Sequence, residues 1–520
     1  MVLSGPPLAA PVDVARILEV GLARDPDATA LISLETSWTW QELADDSGRL
    51  AGNLLQQGLA PGDRVASLMP NRCALVVFYL ACMRAGLVAV PLNYRFTVPE
   101  IEAALQASGA ALLFAHRERA GDLASSAVVG ALPQGLVGYG QGSLNATRFE
   151  DLIETDPKTD ELPEPDPQAP AFIFFTSGSD GRLRGVVHSL ESCGWGLASV
   201  AAGYGCSGED SIVTASSLSH NGGMVHALGC LSAGARVAVA RNYDADEILP
   251  LLRAERPTLA WVLPAALFRL VRDHEATAKD FASLRLLACG GDKAPLQMER
   301  DFEALTGLAL RETYGMTETS CATLNLPGAQ RRPGSIGRLM PGFQAEIRGP
   351  DGRPLPFGVE GRLWLKSPTA MLGYWQEPEA TAAVLKEGWF DTGDSMLADA
   401  EGYLWFAGRK RQIVVHDGAT IAPQEVEGVL TEHPSVARAG VVGVYDLLHG
   451  ENVRAFVTLD GSCEAPTEQE LIAFARARLG YKAPEHIVFL PDLPLDASGT
   501  TDRALLKQIA EAGLSGAPAA

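Results

Sequence analysis

A segment rich in glycine and hydroxyl side chains follows the short apolar run Phe172–Phe175. It reads Thr-Ser-Gly-Ser-Asp-Gly-Arg-Leu-Arg-Gly over residues 176–185. Loops of this kind offer backbone N–H groups and hydroxyls to phosphate oxygens, although the spacing differs from the GxxxxGK[ST] nucleotide loop. We therefore predict a phosphate contact here, with a plain glycine and serine turn as the alternative. The candidate residues are Thr176, Ser177, Gly178, Ser179, Asp180 and Arg184.

Further groups of charged, aromatic and glycine residues follow along the chain. In order, they are His220, Gly290-Gly291, Tyr314-Gly-Met-Thr-Glu318, Gly373-Tyr374, Asp391-Thr-Gly-Asp394, Gly408-Arg409, Pro423-x-Glu425-x-Glu427 and Val442-Gly-Val-Tyr-Asp-x-x-x-Gly450. Each residue alone also fits a structural role, such as a turn cap at Asp394 or a core position at Tyr314. As an ordered set with the loop at 176–185, they resemble the adenylate-forming superfamily of acyl-CoA synthetases, peptide-synthetase adenylation domains and luciferases.

The resemblance covers about residues 12–510 and implies two domains and two half-reactions. A large N-terminal domain (1–410) would hold the adenylate, and a small mobile C-terminal α+β domain (411–520) would swivel between the steps. In the first step a carboxylate attacks ATP and gives acyl-AMP and pyrophosphate. In the second step the thiol of coenzyme A displaces AMP.

The resemblance also assigns residues to AMP. The AMP-binding candidates are Gly291, Asp292, Tyr314, Thr317, Asp394 and Arg409. Asp394 and Arg409 would engage the ribose hydroxyls, and Tyr314 would stack on the adenine. Thr317 would contact the α-phosphate, and Glu318 would be the ligand of Mg²⁺ if a metal is used. These types suit the roles, since a carboxylate accepts hydroxyl hydrogen bonds and is a hard oxygen ligand.

The C-terminal stretch departs from the family at one position. Relatives carry a lysine after Leu-Pro and a glycine, and here Thr500 follows Gly499. The resemblance implies that the missing ammonium bridges the substrate carboxylate and the α-phosphate. A neutral hydroxyl cannot supply this charge, and loss of one preorganised donor costs roughly 2.7 to 4 kcal/mol. We therefore predict slow adenylation and doubtful use of ATP. The candidate catalytic residues are Thr317, Glu318, His220 and Thr500, which replaces the adenylation lysine.

Two departures in the phosphate loop are also expected to slow adenylation. Asp180 stands where threonine or serine is usual and adds negative charge near the expected triphosphate. Like charges about 4 Å apart repel by roughly 1 to 4 kcal/mol. Arg184 stands where the family has lysine and lacks the compact ammonium. Rescue by Lys507, or by Arg182 together with Arg184, is the alternative.

Residues 411–418 correspond to the hinge and the thiol tunnel of the family. Arg411 replaces the usual Asp or Lys of the hinge, Gly418 matches a tunnel glycine, and Asp417 replaces the glycine before it. Lys410, Arg411 and Lys482 are candidates to dock anionic coenzyme A, with ordinary solvated surface as the alternative. The arrangement predicts a thiol path whose details differ from the family's.

The segment from His220 to Gly223 is expected to lie beside the acyl group. His220 matches the position beside the acyl pocket, where it either gates the path to the thiol or is structural, and the two interpretations stay equally open. Gly222 and Gly223 are expected to leave room for a bulky acyl group.

The elements that must position these residues follow from the apolar pattern. Short apolar runs separated by helix-like stretches predict buried parallel strands. They are Val65–Met69, Val88–Pro91, Arg236–Ala240, Leu259–Val262 and Leu284–Cys289. Glycine-punctuated strands at Gly361–Lys366 and Gly402–Phe406 predict a small antiparallel β subdomain, and residues 421–479 predict a compact α+β unit. The fold class is α/β, with αβ-layered sheets in the large domain.

Composition excludes several partners. The net charge of −21 would repel nucleic acid and anionic membranes, so we expect neither as a partner. The longest apolar run, Cys73–Met83, is about half the roughly 20 residues of a membrane helix, and no signal peptide is apparent, so we expect a cytoplasmic protein. The eight cysteines show no zinc spacing and are expected to be free thiols.

These observations predict an acyl-CoA ligase confined to thioesterification, which takes acyl-AMP from a separate adenylating enzyme. The combination is similar to the non-adenylating acyl-CoA ligases of platensimycin- and platencin-type diterpenoid biosynthesis, which implies a bulky diterpenoid acid as the small-molecule acyl substrate. A complete ATP-dependent acyl-CoA synthetase and a non-catalytic sensor of acyl-AMP or acyl-CoA are the alternatives. The sequence leaves open whether the protein is a homodimer.

Overall fold

The computed structural model describes most of the chain. The described residues are 2–140, 146–158, 161–177, 183–242, 244–272, 276–291, 294, 296–409, 413–446, 449–459, 465–494 and 501–513. They form two compact units. The first comprises Met1–Tyr94, Val98–Phe175 and Gly185–Gly408, and the second comprises Arg95–Thr97, Thr176–Arg184 and Arg409–Ala520.

The strands and helices of the described residues are numbered in chain order. The strands are β1 Val2–Ser4, β2 Thr29–Ile32, β3 Ser37–Thr39, β4 Arg64–Leu68, β5 Val88–Pro91, β6 Leu112–His116, β7 Gly135–Tyr139, β8 Thr147–Arg148, β9 Pro170–Ser177, β10 Leu183–Ser189, β11 Ser211–Ala215, β12 Arg236–Val239, β13 Leu259–Val262, β14 Leu286–Cys289, β15 Arg311–Met316, β16 Ser320–Leu324, β17 Arg338–Leu339, β18 Gln344–Arg348, β19 Gly361–Lys366, β20 Gly373–Tyr374, β21 Leu385–Lys386, β22 Trp389–Ala398, β23 Leu404–Arg409, β24 Val414–His416, β25 Ala419–Ile421, β26 Val436–Asp446, β27 Gly450–Leu459 and β28 His486–Phe489. The α-helices are α1 Glu19–Arg24, α2 Trp40–Gln56, α3 Cys73–Ala85, α4 Val98–Ser108, α5 Ala120–Ala124, α6 Ala127–Gly130, α7 Phe149–Glu154, α8 Leu190–Tyr204, α9 Asn221–Ser232, α10 Ala245–Glu255, α11 Pro264–Arg272, α12 Leu296–Thr306, α13 Pro378–Val384, α14 Pro423–Thr431, α15 Glu468–Leu479 and α16 Arg503–Glu511.

Two large sheets with parallel centres form the body of the first unit. The nine-stranded sheet has the order β17-β16-β15-β14-β13-β11-β12-β2-β3, and the eight-stranded sheet has the order β20-β10-β9-β5-β4-β6-β7-β8. Strands β11 to β15 pair in parallel, as do β4, β5 and β6. Their residues are almost all buried, because helices cover a parallel sheet on both faces. The predicted parallel sheets are confirmed.

An antiparallel sheet completes the first unit. Its order is β1-β18-β19-β22-β21, and β23 pairs with β22. The predicted strand Gly361–Lys366 is β19, whereas the strand predicted at Gly402 begins at Leu404. Gly402 instead ends a turn in which its N–H donates to the Asp399 carbonyl at 3.1 Å. The antiparallel subdomain is confirmed, with this shift of one boundary.

The second unit has its own sheet and its own core. The sheet order is β25-β24-β27-β26, and β28 pairs with β27 in parallel. Apolar residues of α14 and α15 pack on one group of strand residues, and those of α16 pack on another. The motif carboxylates Glu425 and Glu427 of α14 form ion pairs with residues of other elements. The Arg503 guanidinium of α16 lies 2.5 Å from Glu427, and the buried Lys482 ammonium, which follows α15, lies 2.7 Å from Glu425. The α/β fold class with a small C-terminal α+β domain is thus confirmed.

No helix within the described ranges is both long enough and apolar enough to cross a membrane.

Candidate active site

The hairpin of β15 and β16 carries three of the predicted site residues. Tyr314 lies in β15, and Thr317 and Glu318 lie in the three-residue turn before Ser320. The strands approach closely at Gly315, where a Cβ atom would lie 2.5 Å from the Ser320 carbonyl oxygen. Only glycine fits this position without a backbone shift, which explains the glycine after Tyr314.

Tyr314 and Asp394 form one hydrogen-bonded pair. The Tyr314 hydroxyl donates to Asp394 Oδ2 at 2.7 Å, and both residues are buried. Asp394 lies in β22, where its own N–H donates to Thr392 Oγ1 at 3.1 Å. The structure therefore brings together the aromatic ring predicted for adenine and the carboxylate predicted for ribose, although the residues are 80 positions apart.

The Thr317 carbonyl accepts two hydrogen bonds from residues that the sequence did not single out. Asn221 Nδ2 donates to it at 2.9 Å, and His188 Nε2 donates at 2.7 Å. Burial lowers the pKa of His188 to about 4, so the ring is neutral near pH 7 and carries its proton on Nε2. These two side chains fix the turn that presents Thr317. Asn221 follows His220 directly, which was the one available signal, and nothing in the sequence pointed to His188.

Glu318 is also held at two points. Its carbonyl accepts from the Met371 N–H at 2.8 Å, and its carboxylate oxygen Oε1 accepts from the Tyr374 hydroxyl at 2.9 Å. A carboxylate oriented in this way fits a magnesium ion, because Mg²⁺ takes hard oxygen ligands and binds through one or two carboxylates plus phosphate oxygens. Glu318 would hold the ion, which would screen phosphate charge during adenylation.

The segment around His220 corrects one expectation. His220 precedes α9 at its N-terminal boundary and is half-buried. A Cβ atom at Gly223 would lie 2.2 Å from the Ser217 carbonyl oxygen, so the space at this glycine is occupied by the chain's own backbone. The expectation that Gly223 leaves room for an acyl group is wrong. At Gly222 the nearest atom is the rim of the Trp261 ring at 3.6 Å, an ordinary contact.

The remaining predicted residues are placed as follows. Gly290 packs against Thr313, so Gly291 lies beside the strand that carries Tyr314. Thr176 and Ser177 end β9, Arg184 lies in β10, and Arg409 ends β23, with only the backbone described for Ser177 and Arg409. Gly178, Ser179, Asp180, Asp292, Arg411 and Thr500 lie outside the described residues.

Asp417 and Gly418 form the turn of the β24–β25 hairpin. Their φ angles are +51° and +74°, and His416 pairs with Ala419 across the turn. Two central residues with positive φ define a type I′ turn, for which Asp-Gly is a preferred sequence. The replacement of a family glycine by Asp417 thus keeps a tight hairpin at this position.

Lys482 corrects a second expectation. It was a candidate surface cation for coenzyme A, but it is 1% exposed and its ammonium donates to Glu425 Oε1 at 2.7 Å. The pair joins α14 to the segment after α15. Lys482 therefore stabilises the second unit and is not available to a ligand at the surface.

Sequence comparisons agree with this arrangement. A profile described as AMP-binding enzyme matches residues 18–375, and one described as AMP-binding enzyme C-terminal domain matches residues 425–500. The chain belongs to this AMP-binding, adenylate-forming enzyme family, and within it to the acyl-CoA ligases and synthetases. Membership implies ATP, coenzyme A and Mg²⁺ as the family's cosubstrates and metal.

Individual relatives match nearly the whole chain. Feruloyl-CoA synthase of Amycolatopsis sp is 35% identical over 482 residues, which cover 91% of this chain and 94% of that protein. Indoleacetate–CoA ligase of Aromatoleum aromaticum is 33% identical over 500 residues, with 93% and 96% covered. Among solved structures, the amide bond synthetase McbA from Marinactinospora thermotolerans superposes with a TM-score of 0.87 at 29% identity, with 95% and 99% covered.

Proposed function

We propose that this acyl-CoA ligase performs the thioesterification half-reaction, acyl-AMP plus coenzyme A to acyl-CoA plus AMP, and that adenylation is lost or crippled. The observation that carries the proposal is Thr500, which stands at the position of the family's adenylation lysine. Asp180 and Arg184 in the phosphate loop act in the same direction, since one adds negative charge and the other removes a compact ammonium.

The cations that follow Thr500 in the sequence support this proposal. Arg503 forms a two-pronged ion pair with Glu427, whose Oε1 also accepts from the Val441 N–H at 2.8 Å. Lys507, the residue considered for rescue, donates to Glu451 Oε1 at 3.1 Å. Each cation is therefore already bound to a carboxylate of its own unit. Either would have to leave a buried or half-buried carboxylate to replace the missing lysine, which costs free energy.

Thioester formation needs less from the chain than adenylation does. The coenzyme A sulfur, as thiolate, attacks the acyl carbon, a C–S bond forms, and the C–O bond to the phosphate breaks as AMP leaves with the electron pair. AMP is a good leaving group, and a thiol with a reference pKa near 8.5 supplies enough thiolate. The residues required are those that hold AMP and orient the carbonyl: Tyr314 and Asp394 on the nucleoside, and Thr317 in its braced turn.

The proposal extends to the acyl group and its source. We infer a bulky, ring-bearing natural-product acid, with a diterpenoid acid as the specific prediction, delivered as acyl-AMP by a separate adenylating enzyme. Two observations support this inference. Gly222 has no side chain, and the atoms nearest to its open position belong to the Trp261 ring, at 3.6 Å. Two relatives are named for ring-bearing acyl groups, feruloyl and indoleacetate.

A two-step assay tests the proposal. In the first step, ATP–pyrophosphate exchange is measured with a panel of acids, and we expect almost none. In the second step, preformed acyl-AMP and coenzyme A are supplied, and we expect acyl-CoA and AMP in equal amounts. Robust exchange would overturn the non-adenylating assignment, and tight binding of acyl-AMP without thioester would indicate the sensor.

A complete ATP-dependent acyl-CoA synthetase is the second candidate. The relatives favour it, because they are named as CoA synthases and ligases without qualification. For this candidate, exchange and net acyl-CoA formation from acid, ATP and coenzyme A would both proceed at comparable rates.

A further inference from the structure

Two histidines and two carboxylates meet in the second unit, where the segment 411–418 comes close to the end of the motif Val442–Gly450. His416 ends β24, Asp417 opens the type I′ turn, His449 precedes β27, and Glu485 precedes β28. Ligand atoms of His416, Asp417 and His449 all lie within 4.8 Å of one another. The two imidazole rings are stacked with centroids 4.8 Å apart. Elements distant in sequence therefore converge on one small group of nitrogen and oxygen atoms.

The protonation of His416 follows from its hydrogen bond. Its Nδ1 lies 2.7 Å from the carbonyl oxygen of Glu451, and a carbonyl can only accept, so Nδ1 carries a proton. In the neutral ring, Nε2 is then a lone pair. That nitrogen lies 3.9 Å from Asp417 Oδ2 and 3.8 Å from Glu485 Oε1. A lone pair beside two carboxylates can be satisfied by a proton or by a metal ion.

The bond from His416 to a backbone carbonyl is typical of histidines that bind metal. Such histidines nearly always donate their second ring N–H to a carbonyl, carboxylate or water, which fixes the tautomer and the ring direction. His416 is also buried, so its ring is held in place before any ion arrives.

Glu485 adds an oxygen with no other use. Its Oε2 is buried and has no hydrogen-bond partner among the described residues. A cation would satisfy this carboxylate at lower cost than burial alone.

We propose that His416, Asp417, His449 and Glu485 bind a divalent transition metal of the Zn²⁺ class. A tetrahedral ion with bonds of about 2.0 to 2.1 Å sets its ligand atoms about 3.3 Å apart. The separation of His449 Nδ1 from Asp417 Oδ1 is 3.0 Å, and that of His416 Nε2 from Glu485 Oε1 is 3.8 Å. Because the ligand atoms of His416, Asp417 and His449 lie within 4.8 Å of one another, shifts of at most about 1.5 Å would bring these three to tetrahedral spacing. A mixed set of imidazoles and carboxylates favours Zn²⁺ over Mg²⁺, which prefers oxygen ligands alone.

One cation already competes for part of the site. Arg95, in a short segment of this same unit, donates to Asp417 Oδ2 at 3.0 Å. Asp417 would therefore bind through Oδ1, and the ion would take the place of the proton between Oδ1 and His449 Nδ1. Removing the Arg95 charge should strengthen metal binding.

The test uses the tag-free, full-length protein freed of metal by chelation and titrated with Co²⁺. We expect one equivalent to give the visible absorption of low-symmetry nitrogen and oxygen coordination, without a thiolate-to-metal charge-transfer band, and to be displaced by one equivalent of Zn²⁺. H449Q and H416Q should each weaken binding by roughly tenfold or more. R95Q should strengthen it.

The matched control is H486Q, because His486 is an exposed histidine of the same unit beside a carboxylate, Glu468 Oε1 at 3.3 Å. This variant should bind as the parent does. If H416Q fails to fold, H449Q decides the matter, since the His449 side chain is 29% exposed. Absence of stoichiometric binding overturns the proposal, as does binding that H449Q leaves unchanged or that H486Q abolishes.

Discussion

The pair of Tyr314 and Asp394 shows how one buried hydrogen bond fixes the orientation of a carboxylate. Asp394 is 4% exposed and the Tyr314 hydroxyl occupies one lone pair of its Oδ2. A carboxylate has about four acceptor sites, so the bond from the phenol is compatible with the predicted contact to ribose hydroxyls. The phenol therefore holds this carboxylate in one orientation.

Tyr314→Phe should weaken binding of acyl-AMP while retaining the aromatic ring. Hydrogen bonds to charged groups contribute roughly 1.5 to 3 kcal/mol, which corresponds to a rise in KM of about tenfold or more. The measurement is thioester formation from preformed acyl-AMP. Tyr204→Phe is the control, because the Tyr204 hydroxyl is buried with no hydrogen-bond partner in the described part of the chain. Equal effects in the two variants would contradict the role of the pair.

Thr500→Lys should restore part of the first half-reaction. A lysine ammonium at this position supplies the donor that adenylation lacks, and such a donor changes turnover by roughly 100- to 1,000-fold. ATP–pyrophosphate exchange should rise accordingly, while thioester formation from acyl-AMP stays the same. The control, Thr501→Lys, moves the charge by one residue and should not raise exchange. An unchanged exchange rate in Thr500→Lys would mean that Asp180 and the loop around it are the larger obstacle.

At the scale of elements, the β15–β16 hairpin is the part on which the site depends most. Its turn presents Thr317 and Glu318, and it is braced from β10 by His188, from α9 by Asn221 and from β20 by Tyr374. Because the braces come from separate elements of the first unit, a shift of the hairpin alone would break several of them together.

Gly315→Ala should therefore reduce activity as well as stability. The new Cβ atom would meet the Ser320 carbonyl oxygen at 2.5 Å, so the backbone must move. We expect a loss of about 1 to 3 kcal/mol in the free energy of unfolding and a larger proportional loss in kcat/KM for thioester formation. Gly121→Ala in α5, where no atom lies within 4 Å of the added carbon, should change neither. Full activity in Gly315→Ala would show that the hairpin tolerates displacement.

The apolar pattern predicted the elements whose residues are all buried. Strands β5 and β13, in which every residue is buried, have the predicted bounds. Strand β22 was not predicted, because its centre is the polar motif Asp391-Thr-Gly-Asp394. These polar residues are buried all the same, since they bond to neighbouring strands, as Thr392 does to the Leu363 carbonyl at 2.9 Å.

The site was predictable where motifs are continuous and not where contacts are distant. The sequence singled out Tyr314 and Asp394, but their bond depends on the packing of β15 against β22. Lys482 shows the same limit, because its burial depends on Glu425, 57 residues earlier. The space at Gly223 could not be predicted either. It is filled by the backbone carbonyl of Ser217, whose position depends on the turn before α9.

At the scale of the molecule, His188 and His226 of the first unit are almost fully buried in its core. His188 bonds to the Thr317 carbonyl, and His226 donates to the Gly222 carbonyl at 2.6 Å while its ring stacks on Trp261. Burial lowers the pKa of both histidines to about 4. Folding of this unit is therefore linked to proton binding at two imidazoles for which the described ranges offer no carboxylate to pair with the imidazolium charge.

The protein should consequently lose stability in mildly acidic solution. The pKa of these histidines in the folded chain lies below the ordinary 6.5. Between about pH 6.5 and 4 they therefore bind protons in the unfolded chain but not in the folded chain. The stabilisation is complete above pH 6.5 and falls as the pH decreases, by up to about 1.4 kcal/mol per histidine for each pH unit. Urea unfolding between about pH 7 and 5.5 measures this slope. His226→Gln keeps an N–H donor but cannot titrate, so its slope should be smaller. Identical slopes for the variant and the parent would contradict the assignment, because the buried imidazole would then not be the group that takes up the proton.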